Sequence, residues 1–193
     1  MIEENTQNLS PKKEILAFVW ETVKVVVISL AIILPIRYYL VQPFFVKGAS
    51  MEPNFEDGDY ILVDELSFRF RDAERGEVII FRFPQQPSQF FIKRIIGLPE
   101  ETVQIKDNKV TVFNEENPEG FVLEETYLAP EQKTLGTMTT KLDDNEYFVL
   151  GDNRLQSSDS RRWGPVNRSL IMGRAFLRPW PFTRASKIPD IVY

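Results

Sequence analysis

The chain has 193 residues, a length that suits one domain with a small additional lobe. Hydrophobic residues make up 43% of it and charged residues 26%, so a core can form beneath an ordinary soluble surface. The net charge of −5 argues against a nucleic-acid partner, because binding to phosphates requires a basic face.

Cysteine and histidine are both absent from the sequence. Without cysteine there is no disulfide, no thiol nucleophile and no zinc thiolate site. Without histidine, the Ser-His-Asp triad and the usual histidine-bearing metal sites are also excluded. A hard-cation site built from carboxylates stays possible, but the sequence has no signature of one and so predicts no metal. A hydrolase of this composition must take its base from Lys, Asp, Glu or Tyr.

The N-terminal region predicts a polar tail over residues 1–16 and a membrane-spanning helix over 17–36, which has the roughly 20 residues that a span needs. Glu21 and Lys24, spaced i, i+3, lie on one helix face and can pair. Residues 37–39, Arg-Tyr-Tyr, are typical of an interfacial belt. The apolar stretch is not followed by the small-residue cleavage site of a removable signal peptide. The alternative interpretation is a buried helix of a soluble protein.

From residue 37 to 193 the pattern predicts a mainly β domain of antiparallel strands, carried on the one N-terminal helix. Residues 102–113 predict a hairpin that turns at Asp107-Asn108, where Asn tolerates positive φ. Residues 118–144 are polar and turn-rich, which indicates a protruding lobe or a flexible loop within a sub-lobe of about 100–145. The remaining predicted strands, each a short apolar run, are 59–64, 77–83, 90–96, 146–150 and 170–177.

Ser50 is the first candidate for chemistry, within Gly48-Ala49-Ser50-Met51-Glu52-Pro53. The small residues before it would allow a substrate backbone to approach closely. Taken alone, a serine near glycine and proline is more typical of an ordinary turn.

Lys93 is the second candidate, because it lies among apolar residues in the middle of a predicted strand. The period of two places Phe91, Lys93 and Ile95 on one face of that strand. Such a lysine can be an edge-strand charge that resists aggregation. If it is buried, desolvation lowers its pKa, and the free amine can then take a proton from a serine hydroxyl.

Residues 151–164 crowd hydroxyls, acids and arginines into one segment. Such a segment is either a solvated loop or the polar shell that positions a catalytic group. Asp159 and Arg161 are spaced to pair through a turn, as part of that shell or as a surface salt bridge of little worth.

Four motifs follow the predicted anchor in a fixed order, and together they resemble the signal peptidase I family of serine proteases with a Ser-Lys dyad. The motifs are Ser50-Met51-x-Pro53, then Gly58-Asp59-Tyr60-Ile61-Leu62-Val63, then Lys93-Arg94-Ile95-Ile96-Gly97-Leu98-Pro99, then Gly151-Asp152-Asn153-Arg154 running to Asp159-Ser160-Arg161. The resemblance extends from the anchor to about residue 177. It implies an endopeptidase that removes N-terminal signal peptides from secreted preproteins and needs no cofactor, in a β domain of several antiparallel sheets.

The resemblance also implies a role for each matching residue. Ser50 takes the place of the nucleophile and gives its backbone N–H to the oxyanion, while Lys93 takes the place of the general base. Ser157 matches the serine that orients the lysine amine. Asp159 and Arg161 match a structural pair that supports the site, and Arg94 is expected in the same cluster. Met51 matches a residue packed close to the nucleophile.

Gly48 departs from those family members that supply a second oxyanion donor from a Ser or Thr hydroxyl at this position. The second donor is therefore expected to be a backbone N–H or a water. The resemblance further implies cleavage after small residues, of the Ala-x-Ala type, with the substrate added as a strand beside residues 44–49 and 91–93. The family's active site faces the membrane, and Phe44 and Phe45 are our candidates for side chains that enter the bilayer.

The implied partners are signal-peptide-bearing preproteins and membrane lipid, with the protein-export machinery as an open candidate. The implied location is the cytoplasmic membrane of a bacterium, crossed once, with the catalytic domain on the outer face. Two alternatives stay open. One is another self-processing Ser-Lys protease, such as the self-cleaving repressors of the DNA-damage response, against which the anchor and the acidic balance argue. The other is an inactive membrane-anchored relative that only binds peptides, against which the presence of both Ser50 and Lys93 argues.

Overall fold

The structure, a computed structural model, describes residues 11–39, 41–189, 191 and 193. Its first element is the helix α1 (Pro11–Tyr39) of 29 residues, which is about 43 Å long at 1.5 Å per residue. This helix includes the whole predicted span of 17–36 and the last six residues of the predicted tail. The first ten residues of the tail lie outside the described residues, as do the side chains of residues 37–39.

One stretch of α1, Lys12–Leu34, is long and apolar enough to cross a membrane, with a mean hydropathy of 2.2. Its side chains are all exposed, unlike those of a helix in the core of a soluble protein. The predicted pair is formed, with 2.7 Å between Lys24 Nζ and Glu21 Oε1. Because both side chains are exposed, this pair contributes little stability.

The rest of the described chain, from Val41 onward, is a compact unit of its own. Its helix α2 is Ser160–Trp163. The strands in chain order are β1 (Val41–Phe45), β2 (Tyr60–Asp64), β3 (Val78–Phe83), β4 (Gln86–Gly97), β5 (Thr102–Lys106), β6 (Lys109–Phe113), β7 (Phe121–Val122), β8 (Met138–Lys141), β9 (Glu146–Leu150), β10 (Val166–Asn167), β11 (Ile171–Trp180) and β12 (Ser186–Lys187).

The strands form two antiparallel sheets. The larger has eight strands, in the order β1-β2-β11-β3-β4-β9-β10, with β12 paired to β11. The smaller has the order β7-β6-β5-β8. The predicted fold class, a mainly β domain of several antiparallel sheets after one N-terminal helix, is confirmed.

Alternating side chains fill the cores on which these sheets rest. Buried residues of β3, β4 and β9 pack together, among them Ile79, Ile95 and Val149. The smaller sheet buries the inward-facing side chains of its hairpin, such as Val103 and Val112. The hairpin turn falls where it was predicted, with φ of 52° at Asp107 and 61° at Asn108.

The strand β4 brings the predicted motifs together. Its first half is exposed, whereas its second half, which begins at Lys93, is buried between β3 and β9. It starts four residues earlier than the predicted strand of 90–96. The exposed half is free to line a groove, and the buried half holds polar side chains inside the domain.

The polar segment of 118–144 contains two short strands, β7 and β8, which flank the hairpin β5–β6. Between them the chain is fixed by the guanidinium of Arg154, which donates hydrogen bonds to the side-chain oxygens of Glu125, Tyr127 and Thr134. That this region forms a protruding sub-lobe stays a prediction.

Candidate active site

Ser50 lies in a tight turn that leaves the edge strand β1. The base of the turn is closed by two backbone hydrogen bonds, from Val46 N to Asp59 O and from Gly58 N to Val46 O. Gly48 has a φ of +82°, a left-handed conformation that favours glycine. Met51 is fully buried directly after the serine, so the far side of the turn is anchored in the core.

Lys93 reaches this turn from the middle of β4. Its side chain is only 3% exposed, and its amine donates to Ser50 Oγ at 2.7 Å and to the carbonyl oxygen of Ile92 at 2.7 Å. The amine also lies 5.5 Å from the centre of the Phe91 ring. The two residues predicted to form a dyad, 43 positions apart in the chain, are thus in direct contact.

Burial lowers the pKa of Lys93 from 10.5 to about 8, because a charged amine is poorly solvated in the interior. The negative charges of Asp159 and Asp152 oppose this shift. At neutral pH, about a tenth of the molecules therefore hold the amine in its neutral form, which can accept a proton.

Asp159 and Arg161 form an ion pair whose carboxylate is buried and whose guanidinium is partly exposed, rather than a surface salt bridge. The carboxylate of Asp159 is fully buried and accepts from Arg161 Nε and Nη2, both at 2.8 Å, and from the backbone N–H of Gly151 at 3.1 Å. Burial alone would raise the pKa of Asp159, but the hydrogen bond and charge of Arg161 hold it below its usual value. The carboxylate stays ionised and fixes the loop after β9.

Ser157 is also buried, at 5% exposed. It lies near enough to Asp159 to help to lower the pKa of that carboxyl, yet its hydroxyl has no partner in full hydrogen-bond geometry among the described residues. The amine of Lys93 donates to Ser50 and Ile92 instead. The Ser157 hydroxyl lies close to Gly151. A Cβ added to this glycine would lie 2.2 Å from Ser157 Oγ and 2.4 Å from Ser50 O.

Arg94 points away from Lys93, to the opposite face of β4, and pairs with Asp152 rather than with Asp159. The pair is bidentate, at 2.9 Å from Nε and 2.6 Å from Nη2, and both side chains are buried. The guanidinium also lies 4.2 Å from the centre of the Tyr127 ring. Asn54 donates to the same carboxylate at 2.8 Å, so this pair joins the turn after Ser50 to the loop after β9.

Asn153, which sequence reasoning did not single out, holds the serine turn directly. Its backbone N–H donates to Ser50 O at 3.1 Å, and its side chain donates to Ala49 O at 3.0 Å. Its place in the motif that follows Gly151 was visible in the sequence. The target of its hydrogen bonds, about a hundred residues earlier, was not.

A cavity of about 430 Å³ opens beside the dyad. Its walls include both segments that were predicted to flank a substrate, and they comprise residues 44–50, Ile61, Ile80, residues 90–93, Gln156 and Ser158. The walls are mainly apolar, with the Ser50 hydroxyl and the Lys93 amine as polar groups. Elsewhere in the described chain, no group of three or more acidic side chains is arranged to hold a metal ion.

The chain is similar to known signal peptidases over most of its length. Residues 19–180 match the family model described as "Signal peptidase, peptidase S26". The probable signal peptidase I-2 of Synechocystis sp. is 36% identical, over 86% of this chain and 76% of its own. The signal peptidase I of Leptolyngbya laminosa is 36% identical, over 87% and 83%, and signal peptidase I V of Bacillus subtilis is 32% identical, over 76% and 90%.

A solved signal peptidase I from Enterococcus faecalis V583 aligns with a TM-score of 0.45 at 29% identity, over 54% of this chain and 97% of that one. The family model spans most of the chain, and the matches to the curated relatives extend over most of their length. The chain belongs to the signal peptidase family, peptidase S26, and is a serine endopeptidase of the signal peptidase I type.

Proposed function

We propose that Ser50 is the nucleophile and Lys93 the general base with which this enzyme removes signal peptides from preproteins. The observation that carries the proposal is the 2.7 Å contact between Lys93 Nζ and Ser50 Oγ, made by a lysine that is almost fully buried. A base must lie within hydrogen-bond reach of the proton it takes and have a pKa near the working pH. Lys93 meets both conditions.

The reaction is acyl transfer in two steps. Ser50 Oγ attacks the scissile carbonyl carbon while its proton moves to the neutral amine of Lys93. The ammonium then gives that proton to the leaving amine of the mature protein, which departs as the C–N bond breaks. In the second step the neutral amine of Lys93 takes a proton from water as the water oxygen attacks the acyl carbon. The C–Oγ bond of the ester then breaks, the ammonium of Lys93 returns the proton to Ser50 Oγ, and the signal peptide leaves with a new carboxyl group.

The supporting residues act through position. The backbone N–H of Ser50 stabilises the oxyanion of each tetrahedral intermediate. Asp159 and Arg161 fix the loop that carries Ser157, whose hydroxyl we assign to orienting the lysine amine during the cycle. Met51 supports the nucleophile turn from the core. Arg94 and Asp152 form a further ion pair behind the dyad.

The cavity beside the dyad accepts the end of the signal peptide. Residues 44–49 and 91–93 form its two long walls, so a substrate in extended form can add its backbone to them as a strand. Apolar side chains such as Ile61, Ile80 and Ile92 also line the cavity and limit the space for substrate side chains. This supports cleavage after small residues in an Ala-x-Ala pattern.

We assign the membrane anchor to residues 17–36 of α1 and the catalytic domain to residues 37–193, on the outer face of a bacterial cytoplasmic membrane. Phe45 supports contact with lipid, because its side chain is 66% exposed. Its ring also contacts that of Tyr60. Phe44 is half-buried in the wall of the cavity, 5.5 Å from the ring of Phe90, so of the two candidates Phe45 is the better placed to enter a bilayer. Association with the export machinery stays a prediction.

The decisive experiment is cleavage of a preprotein with an Ala-x-Ala site by the full chain in detergent, beside Ser50→Ala and Lys93→Ala. Each variant is expected to lose at least about a thousandfold in kcat/KM, while Lys109→Ala, which removes an exposed lysine on the smaller sheet, cuts as wild type does. The kcat/KM of wild type should rise with pH through a midpoint of about 8, as Lys93 loses its proton. A folded wild type that binds the preprotein without cutting it would favour the peptide-binding alternative.

A further inference from the structure

The turn that carries Ser50 is tied down by a side chain outside the four motifs. The carboxylate Oδ1 of Asp57 accepts a hydrogen bond from the backbone N–H of Gly48 at 2.7 Å, across nine residues of chain. Asp57 is exposed, so it has no part in the core. Its one described hydrogen bond ends two residues before the nucleophile.

Packing alone does not fix Gly48. A Cβ built on this glycine would meet nothing within 4 Å, so no neighbouring side chain presses against it. The backbone bonds of Val46 hold the turn before this residue, and the bonds from Asn153 hold it afterwards. Among the described residues, the hydrogen bond from Gly48 N–H to Asp57 restrains the part of the turn between these two sets of bonds.

The same bond decides which amides are available to an oxyanion. The N–H of Gly48 is occupied by the carboxylate, and so it is not a free donor. The N–H groups of Ala49 and Ser50 have no acceptor among the described residues, and both residues lie in the wall of the substrate cavity. Two adjacent unbonded amides next to the nucleophile form the kind of donor pair that a developing oxyanion requires.

We propose that Asp57 is a positioning residue: by holding the N–H of Gly48, it keeps the amides of Ala49 and Ser50 free and fixed beside the groove. The inference rests on the proposed function of Ser50. Asp57 is not among the residues that line the cavity. It acts through the conformation of Gly48.

The test compares Asp57→Ala, Asp57→Asn and Glu56→Gln in the full chain in detergent. Asp57→Ala is expected to lower kcat about tenfold or more, because small misplacements of reacting groups cost up to about a hundredfold, with KM changed less than about threefold. Asp57→Asn should recover most of the rate, since the amide oxygen of Asn accepts the same hydrogen bond. Glu56→Gln removes the neighbouring acid, which pairs with Arg184, and should cut as wild type does.

Two further readouts separate positioning from other roles. The pH midpoint of kcat/KM should be the same in all four proteins, and thermal unfolding should show that Asp57→Ala is folded. A wild-type rate in Asp57→Ala would overturn the inference, and so would an Asp57→Asn as slow as Asp57→Ala. A pH midpoint that moves in Asp57→Asn would overturn it as well, because the residue would then act by its charge and not by holding Gly48. A wild type that does not cut at all would instead overturn the proposed function of Ser50, and this inference with it.

Discussion

Replacing Lys93 with Met should stabilise the protein, and the gain should depend on pH. The pKa of this lysine falls from 10.5 in the unfolded chain to about 8 in the folded one. A difference of about 2.5 corresponds to about 3 kcal/mol, at about 1.4 kcal/mol for each pH unit. Below pH 8 the lysine is charged in both states, so wild type bears the whole cost of burying that charge. Met has a similar volume and bears none of it.

The sign of the pH dependence follows from proton linkage. Between pH 8 and 10.5 the unfolded chain binds more protons at this position than the folded protein does, so the stability of wild type rises with pH. The gain from Met should therefore be largest near pH 6.5 and shrink by about 2 to 3 kcal/mol by pH 10. Loss of the hydrogen bonds to Ser50 and Ile92 offsets about 1 kcal/mol of it at every pH.

The assay is urea unfolding of the full chain in detergent, followed by tryptophan fluorescence, for wild type, Lys93→Met and Ser50→Ala. The serine variant is the control, because it also removes activity but keeps the buried amine. It should show the same pH dependence as wild type. A difference in stability between Lys93→Met and wild type that stays constant from pH 6.5 to 10 would refute the reasoning. It would mean that the pKa of Lys93 is the same in the folded and the unfolded chain.

Three other substitutions test the surroundings of the dyad. Gly151→Ala should destabilise the fold by about 1 to 3 kcal/mol and remove most cleavage activity, because the new Cβ would collide with Ser157 Oγ and with the carbonyl oxygen of Ser50; thermal unfolding and the cleavage assay measure the two effects. Phe45→Ser should weaken the binding of residues 41–193 to liposomes, whereas Phe44→Ser should chiefly raise KM, since only the former side chain is largely exposed. Equal liposome binding by Phe45→Ser and wild type would contradict the assignment of lipid contact to this residue.

The strands and the dyad were predictable because their signals are local. Alternation of apolar residues located β2, β3 and β9 to within one residue, and Asp107-Asn108 marked the hairpin turn. Ser50 and Lys93 stood out through their motifs and through the absence of histidine and cysteine. A lysine within a strongly apolar strand already indicated burial, and the direction of its pKa shift follows from burial alone.

The partners of the arginines were less predictable, because an ion pair is decided by strand register. Arg94 was expected in the cluster of Asp159 and Arg161, but it lies opposite Leu150 in the pairing of β4 with β9. Asp152 follows two residues later and therefore meets its guanidinium. The tie between Asp57 and Gly48 depends on the shape of a turn, which no periodicity in the sequence describes.

The two buried ion pairs explain how a lysine surrounded by acids keeps a lowered pKa. Asp152 and Asp159 are both fully buried, and each alone would favour the charged amine. Each carboxylate, however, is bound by its own guanidinium, from Arg94 and from Arg161, whose positive charge opposes that of the carboxylate. Desolvation then outweighs the remaining attraction, and the amine titrates near neutral pH. In the function proposed above, the arginines therefore act indirectly: they let the acids hold the loop in place while their own positive charge opposes the charge of those acids at the proposed base.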